Sequence, residues 1–179
     1  MTGRTVSLIA AALALALPSA ASAELSAGAR APNFVAKGAR GGKLFTVNLA
    51  SALKRGPVVL YFYPKAFTSG CTMEAHAFAE ATADFRKAGA TVIGMSNDDV
   101  ATLQRFSTEE CRDKFAVATA TSDVIKSYDV TLPVAATRSN RTSYVIAPNG
   151  KIVFAYTAMS PEGHVSGTLD AVKKWKAAK

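Results

Sequence analysis

Cys71 stands in the stretch FYPKAFTSGCTMEA, residues 62–75, where an apolar run gives way to an amphipathic pattern. That places the thiol in the first turn of an expected helix. Backbone N–H groups there have no intrahelical partner and the helix dipole is positive, so a thiolate is stabilised and the cysteine becomes a nucleophile. A cysteine that only packs would sit more naturally inside an apolar run. Other chemistry-bearing residues are few: one further cysteine, Cys111, and two histidines, His76 and His164. No glycine-rich phosphate loop, nucleophilic-serine constellation or pair of catalytic carboxylates stands out. The absence of Cys-x-x-Cys argues against a thioredoxin-type disulfide exchanger. A metal held by Cys71 and His76 would need ligands that the spacing does not provide, and a separation of five puts the two on different helix faces. No metal or other cofactor is expected.

The elements that must position Cys71 follow from periodicity. PVVLYFY, bounded by Gly56-Pro57 and Pro64, suits a strand buried on both faces. From Cys71 to Lys87, Phe78, Ala81 and Phe85 recur at three- and four-residue steps, with Gly89 as a stop, which predicts an amphipathic helix. ATVIGMS reads as a second buried strand, and a helix opens near Asp98 or Asp99 with Val100, Leu103 and Phe106 on one face. KFAVATA and SDVIKSYDV continue the alternation of strand and helix. RTSYVIAPNGKIVFAYT holds two alternating runs joined at Asn149-Gly150, a dipeptide that favours a tight hairpin. A short hairpin region with the strand KLFTVNLA precedes all of these, and a helix carrying Val165, Leu169, Val172 and Trp175 closes the chain. The class is α/β: a mixed, mostly parallel central sheet with helices on both faces and an antiparallel hairpin at one edge.

Residues 1–23, MTGRTVSLIAAALALALPSAASA, combine Arg4, an apolar stretch, a Pro18 break and the small residues Ala21-Ser22-Ala23. They read as a signal peptide cleaved after Ala23 and imply a periplasmic or secreted protein, with one domain over residues 24–179. The apolar stretch is well short of the roughly 20 residues a spanning helix needs, so no stable membrane association is expected after cleavage. The formal charge of +8 falls by one when Arg4 leaves. Lys and Arg are scattered and densest in the final KKWKAAK, where cations suit a helix carboxyl end. Nucleic-acid binding would want a basic stripe with exposed aromatics and is not expected.

The segment from Pro64 to Cys71 also resembles a known pattern, the Pro-x-x-x-Thr-x-x-Cys of the peroxiredoxins. The likeness extends over APNF, VVLYFYPK, GCTMEA, VIGMS and RTSYVIAPNGKI, and is to the Q-type members, also called bacterioferritin comigratory proteins. It implies a thioredoxin-like three-layer fold and a thiol peroxidase acting on hydrogen peroxide and organic hydroperoxides, without metal, haem, flavin or selenium. It also implies recycling by a thioredoxin-like donor and a monomeric state. On that resemblance Cys71 attacks one peroxide oxygen, expels water or an alcohol and becomes a sulfenic acid. Thr68 would direct its hydroxyl toward sulfur and peroxide, Arg141 would supply the guanidinium, Pro64 would wall the pocket, and Glu74, matching CTxEA, would orient a neighbouring group. Each also has a plain reading: a strand end for Pro64, a cap or turn for Thr68, a surface cation for Arg141, a first-turn acid for Glu74. Arg138 rivals Arg141, but Arg141 directly precedes TSYVI as the family pattern requires.

The chain departs from the family in three places. Many Q-type members carry a second cysteine five residues beyond the first, where this chain has His76. Others place it on the following helix, directly after a phenylalanine that corresponds to Phe106; that position is Ser107 here, and Cys111 lies one helical turn further. Cys111 is the expected resolving residue, forming a disulfide with Cys71. Two alternatives stay open: a one-cysteine peroxidase resolved by an external thiol, or a permanent structural disulfide in a non-catalytic thioredoxin-fold binding module. Finally, Ala66 and Phe67 replace the usual polar residues and Ser69 a common proline, which predicts a more apolar pocket mouth and a preference for organic hydroperoxides.

Overall fold

The computed structural model describes residues 24–179; the expected leader, residues 1–23, lies outside them. A hairpin of β1 (Val35–Arg40) and β2 (Lys43–Asn48) turns at Gly41-Gly42, both at positive φ, and leads into the short helix α1 (Leu49–Leu53). The buried run forms β3 (Val58–Phe62), followed by α2 (Ser69–Lys87), β4 (Thr91–Ser96), α3 (Val100–Glu109), β5 (Ala116–Thr119) and α4 (Ser122–Ser127). A two-stranded pair, β6 (Thr131–Leu132) and β7 (Ala135–Ser139), precedes β8 (Thr142–Ile146), β9 (Ile152–Thr157) and the closing helix α5 (His164–Ala177).

The strand order is β2-β1-β5-β4-β3-β8-β9. β3, β4 and β5 are parallel neighbours, and β2 and β9 run the same way through two antiparallel steps each, so only β1 and β8 are reversed. The expected mixed α/β sheet is present with one correction: antiparallel hairpins lie at both edges, because β1 pairs β5 as well as β2. The β6–β7 pair was not expected either; β6 is only two half-buried residues, and β7 is mostly exposed and lacks the apolar alternation that makes a strand legible.

β3 shows why the core has two layers. Val58, Leu60 and Phe62 enter one apolar cluster, while Val59 and Tyr61 enter the other, the alternation any strand imposes. The first cluster is closed by Leu49, Ala52 and Leu53 of α1 and Ile125 of α4. The second is closed by Ala75, Phe78 and Phe85 of α2, Leu103 and Phe106 of α3, and Val172 of α5. With helices on both faces, the end of β3 and the start of α2 are held from every side.

Candidate active site

The chain leaves β3 at Phe62 and reaches α2 through residues 63–68. Tyr63 N–H donates to the Met95 carbonyl (3.0 Å) and its own carbonyl accepts from Ser139 Oγ (2.9 Å). Ala66 N–H donates to Asp98 Oδ2 (2.7 Å), which also accepts from Ser96 Oγ (2.8 Å). Asp98 thus ties this loop to the end of β4, a role no local pattern announced. Phe67 adopts φ 63°, uncommon for a bulky residue and a sign of a constrained turn.

Thr68 is the N-cap of α2, yet its side chain makes no cap bond; its hydroxyl donates to the Lys65 carbonyl (2.9 Å) instead. The first intrahelical bond is Thr72 N–H to the Thr68 carbonyl (2.8 Å), which leaves the amides of Ser69, Gly70 and Cys71 without helix partners. Cys71 is only 2% exposed. Pro64 is half-buried at the strand end, and Arg138 is exposed on β7.

Arg141, 4% exposed, converges on this turn from just before β8, and each guanidinium nitrogen has a partner. Nη2 lies 3.5 Å from Cys71 Sγ, Nη1 donates to Glu74 Oε2, and Nε donates to the Met159 carbonyl (2.9 Å). Gly70 leaves room for it: a Cβ there would stand 3.1 Å from Nη2. Burial disfavours the charged guanidinium, but Glu74 and Cys71 outweigh that and the Arg141 pKa is raised, so its charge is permanent.

Glu74 is fully buried, and burial pushes its carboxyl up to about 8 despite Arg141. The folded value lies above the unfolded one, 4.5, so this group's contribution to stability is complete below pH 4.5 and is lost as the pH rises to about 8. Glu74→Gln, neutral throughout, is expected to lose less stability than the wild type across that window in urea unfolding, by a few kcal/mol. Equal losses would refute the assignment.

Comparison with known proteins identifies the family of the chain. The AhpC/TSA family model matches residues 27–155. The chain belongs to the AhpC/TSA family. Within it, similarity is to peroxiredoxin Q: the chloroplastic protein of Oryza sativa subsp. japonica is 36% identical over 147 residues, 82% of this chain and 66% of the rice protein. Peroxiredoxin Q of Triticum aestivum is 36% identical over 151 residues, 84% of this chain and 68% of the wheat protein. The chain thus spans about two thirds of the length of these relatives. Among solved structures, the peroxidoxin BcpB of Mycobacterium tuberculosis aligns with a TM-score of 0.74 at 27% identity, covering 83% of this chain and 96% of that one. Mycobacterium tuberculosis AhpC, 18% identical with a TM-score of 0.75, shares the fold and covers 87% and 96% of the two chains.

In this peroxiredoxin the second cysteine is not on a helix, as expected, but beyond the end of α3. Cys111 is fully buried and its thiol is free, as is that of Cys71. Burial, with Glu110 and Asp113 adding, raises its pKa and keeps it a protonated thiol. The reason the helix stops is local: Arg112 and Asp113 both take positive φ, 50° and 61°. Two side-chain contacts flank Cys111 and hold its segment on α2: His76 Nε2 lies 2.7 Å from Glu110 Oε2, and Arg112 Nη1 pairs with Glu80 Oε1 at 3.2 Å. His76, half-buried, is therefore a tether between elements. Ser107 is buried; its Oγ accepts from Gly42 N–H (3.0 Å) at the β1–β2 turn and donates to the Gln104 carbonyl (2.8 Å).

Three residues of the site were not singled out in the sequence. His164 and Ser143 lie buried behind Glu74, and Tyr61 of β3 shares the second apolar cluster with both cysteines, its hydroxyl without a hydrogen-bond partner. The one available signal was His164 itself, one of only two histidines, opening an amphipathic helix.

Proposed function

We propose that the protein is a thiol peroxidase that reduces hydroperoxides at Cys71. The observation that carries this is the approach of Arg141 Nη2 to Cys71 Sγ, 3.5 Å, in a helix turn whose first amides are free. The thiolate attacks one peroxide oxygen with its lone pair; the S–O bond forms, the O–O bond breaks, and the leaving oxygen takes the bonding pair and a proton to become water or an alcohol. Cys71 is left as a sulfenic acid. Arg141 and the free amides stabilise charge on the oxygens as it shifts, the role of an oxyanion site. Thr68, its proton committed to the Lys65 carbonyl, keeps oxygen lone pairs to accept the hydroperoxide O–H. Pro64 restricts water, and Glu74 holds Arg141 in place.

Cys111 resolves the sulfenic acid: its sulfur attacks Cys71 Sγ, the S–S bond forms, and water leaves. A buried, protonated thiol is a poor nucleophile, so the turn after α3 must open first. The left-handed backbone of Arg112 carries about 1–2 kcal/mol of strain, which opening the turn releases. A thioredoxin-like dithiol then restores both thiols, with the enzyme acting as a monomer. Residues 1–23 are a cleaved leader ahead of one domain, residues 24–179, and the enzyme works in the periplasm or outside the cell; an intact-mass measurement showing a chain that begins at Glu24 tests this.

In the loop before Cys71, Phe67 is 37% exposed and packs edge-on against Phe106 (5.2 Å between centroids), with the Arg105 guanidinium over its ring at 5.1 Å, which offers an apolar surface to the organic part of a hydroperoxide. Cumene hydroperoxide is therefore expected to react faster than hydrogen peroxide, with a several-fold smaller ratio in Phe67→Ala. Equal second-order rates, unaltered by the substitution, would remove the idea.

Mass spectrometry of both cysteines before and after one equivalent of hydroperoxide tests the whole scheme. A Cys71–Cys111 disulfide is expected. A stable sulfenate on Cys71 would convert the reading to a one-cysteine peroxidase, and no change on either thiol would overturn it.

A further inference from the structure

One guanidinium serves two acids in this site. Arg141 faces the Cys71 thiol on one side and the Glu74 carboxyl on the other, all three buried. If both acids ionise, two anions share one cation where little water screens them.

The far side of Glu74 indicates which acid stays neutral. Oε2 accepts from Arg141, while Oε1 has no hydrogen-bond partner and lies 3.7 Å from Nδ1 of His164. His164 is fully buried, and its Nε2 stands 3.0 Å from the Ala158 carbonyl. A carbonyl only accepts, so the ring proton belongs on Nε2, and Nδ1 is a bare acceptor that receives Ser143 Oγ–H at 2.8 Å. A carboxylate oxygen against that lone pair would be repelled. A protonated carboxyl lacks that charge and turns its O–H toward the lone pair, which Ser143 already occupies, at 3.7 Å, beyond hydrogen-bond distance. The groups around Glu74 are Arg141 and Ser143 at β8, His164 on α5, Cys71 on α2 and Tyr61 on β3, of which only Arg141 is permanently charged.

We propose that Glu74 works as a neutral acid, its proton on Oε1 directed at Nδ1 of His164, so that the charge of Arg141 is left to the Cys71 thiolate. His164 and Ser143 are positioning residues that set the protonation state of Glu74. Burial supports the assignment by moving both groups toward their neutral forms, Glu74 up to about 8 and His164 down, the latter helped by Arg141. No proton of Glu74 is consumed in the reaction. This inference rests on Cys71 being the nucleophile only for its effect on rate.

Two measurements on the full chain test it. Infrared difference spectroscopy of the wild type against Glu74→Gln at pH 7 is expected to show the carbonyl stretch of a protonated carboxyl; its absence overturns the proposal whether or not Cys71 reacts with peroxide. In the pH profile of hydroperoxide reduction, the wild type is expected to slow by on the order of tenfold as Glu74 ionises above about pH 8, and Glu74→Gln to lack that fall. His164→Phe, without the acceptor, moves the fall to lower pH, and His164→Asn, which places an oxygen near the Nδ1 position, moves it back. A fall that persists in Glu74→Gln, or a uniform loss in His164→Phe that His164→Asn does not reverse, overturns it. A carboxyl band together with an inert Cys71 would refute the proposed peroxidase and leave the protonation of Glu74 standing.

Discussion

Hydroperoxide consumption disappears in Cys71→Ser, whereas Cys111→Ser completes one turnover and continues only when a small thiol is supplied. The difference follows from what each sulfur does. A serine hydroxyl at the start of α2 does not ionise near neutral pH, and the free amides and Arg141 have no nucleophile to assist. The rate should fall to that of peroxide in buffer. Loss of Cys111 leaves that first step untouched, because Cys111 is buried beyond α3 and is no hydrogen-bond partner of Cys71 or Arg141. What it removes is the second sulfur, so the sulfenic acid persists until an external thiol attacks it. A stopped-flow assay with and without a monothiol reads both outcomes. Full steady-state turnover of Cys111→Ser with only a dithiol reductant would show that Cys111 does not resolve Cys71. Residual peroxidase activity in Cys71→Ser would remove the central assignment.

Arg141→Lys is expected to lower the second-order rate by on the order of 10²–10³-fold, the usual loss when a preorganised donor to a developing charge is removed. The substitution preserves charge and removes geometry. The guanidinium spends three nitrogens in three directions, on Cys71 Sγ, Glu74 Oε2 and the Met159 carbonyl. A lysine ammonium is one point on a flexible stem and cannot hold that fork. One ammonium cannot stay on the sulfur and also reach Glu74 Oε2 and the Met159 carbonyl, so the donor to the sulfur is no longer held in place. Arg141→Met would be a poorer test, because it leaves a buried carboxyl unpaired and destabilises the fold by about 3–5 kcal/mol if that carboxyl is ionised. Stopped-flow kinetics with the fold checked by circular dichroism measures the effect; a loss under threefold would assign the charge, and not the fork, to catalysis.

What the sequence alone carried was local. An apolar run between Gly56-Pro57 and Pro64 became β3, the three- and four-residue steps through Phe78 and Phe85 became α2, and Asn149-Gly150 marked the β8–β9 turn, because each signal is written in neighbouring residues. Cys71 at a helix start was legible for the same reason. Signals spread across the chain were not. That the first hairpin joins the sheet beside β5 depends on packing between residues far apart in sequence, and β6–β7 is too exposed for its side chains to betray it. Cys111 was expected one helical turn beyond Ser107 on the same face, but α3 ends at Glu109 and Arg112 and Asp113 take left-handed conformations.

Residue types and spacing thus determined that a thiol stands at a helix start where a central strand of an α/β sheet ends, since period-two and period-3.6 patterns are properties of short segments. Tertiary structure alone decided what that thiol meets. It brought Arg141 across 70 residues to the sulfur, set Glu74 between that guanidinium and His164, and buried Cys111 in a segment that Glu110 and Arg112 tie to α2. Those relations depend on distance and burial in three dimensions, where desolvation and charge settle which groups carry protons.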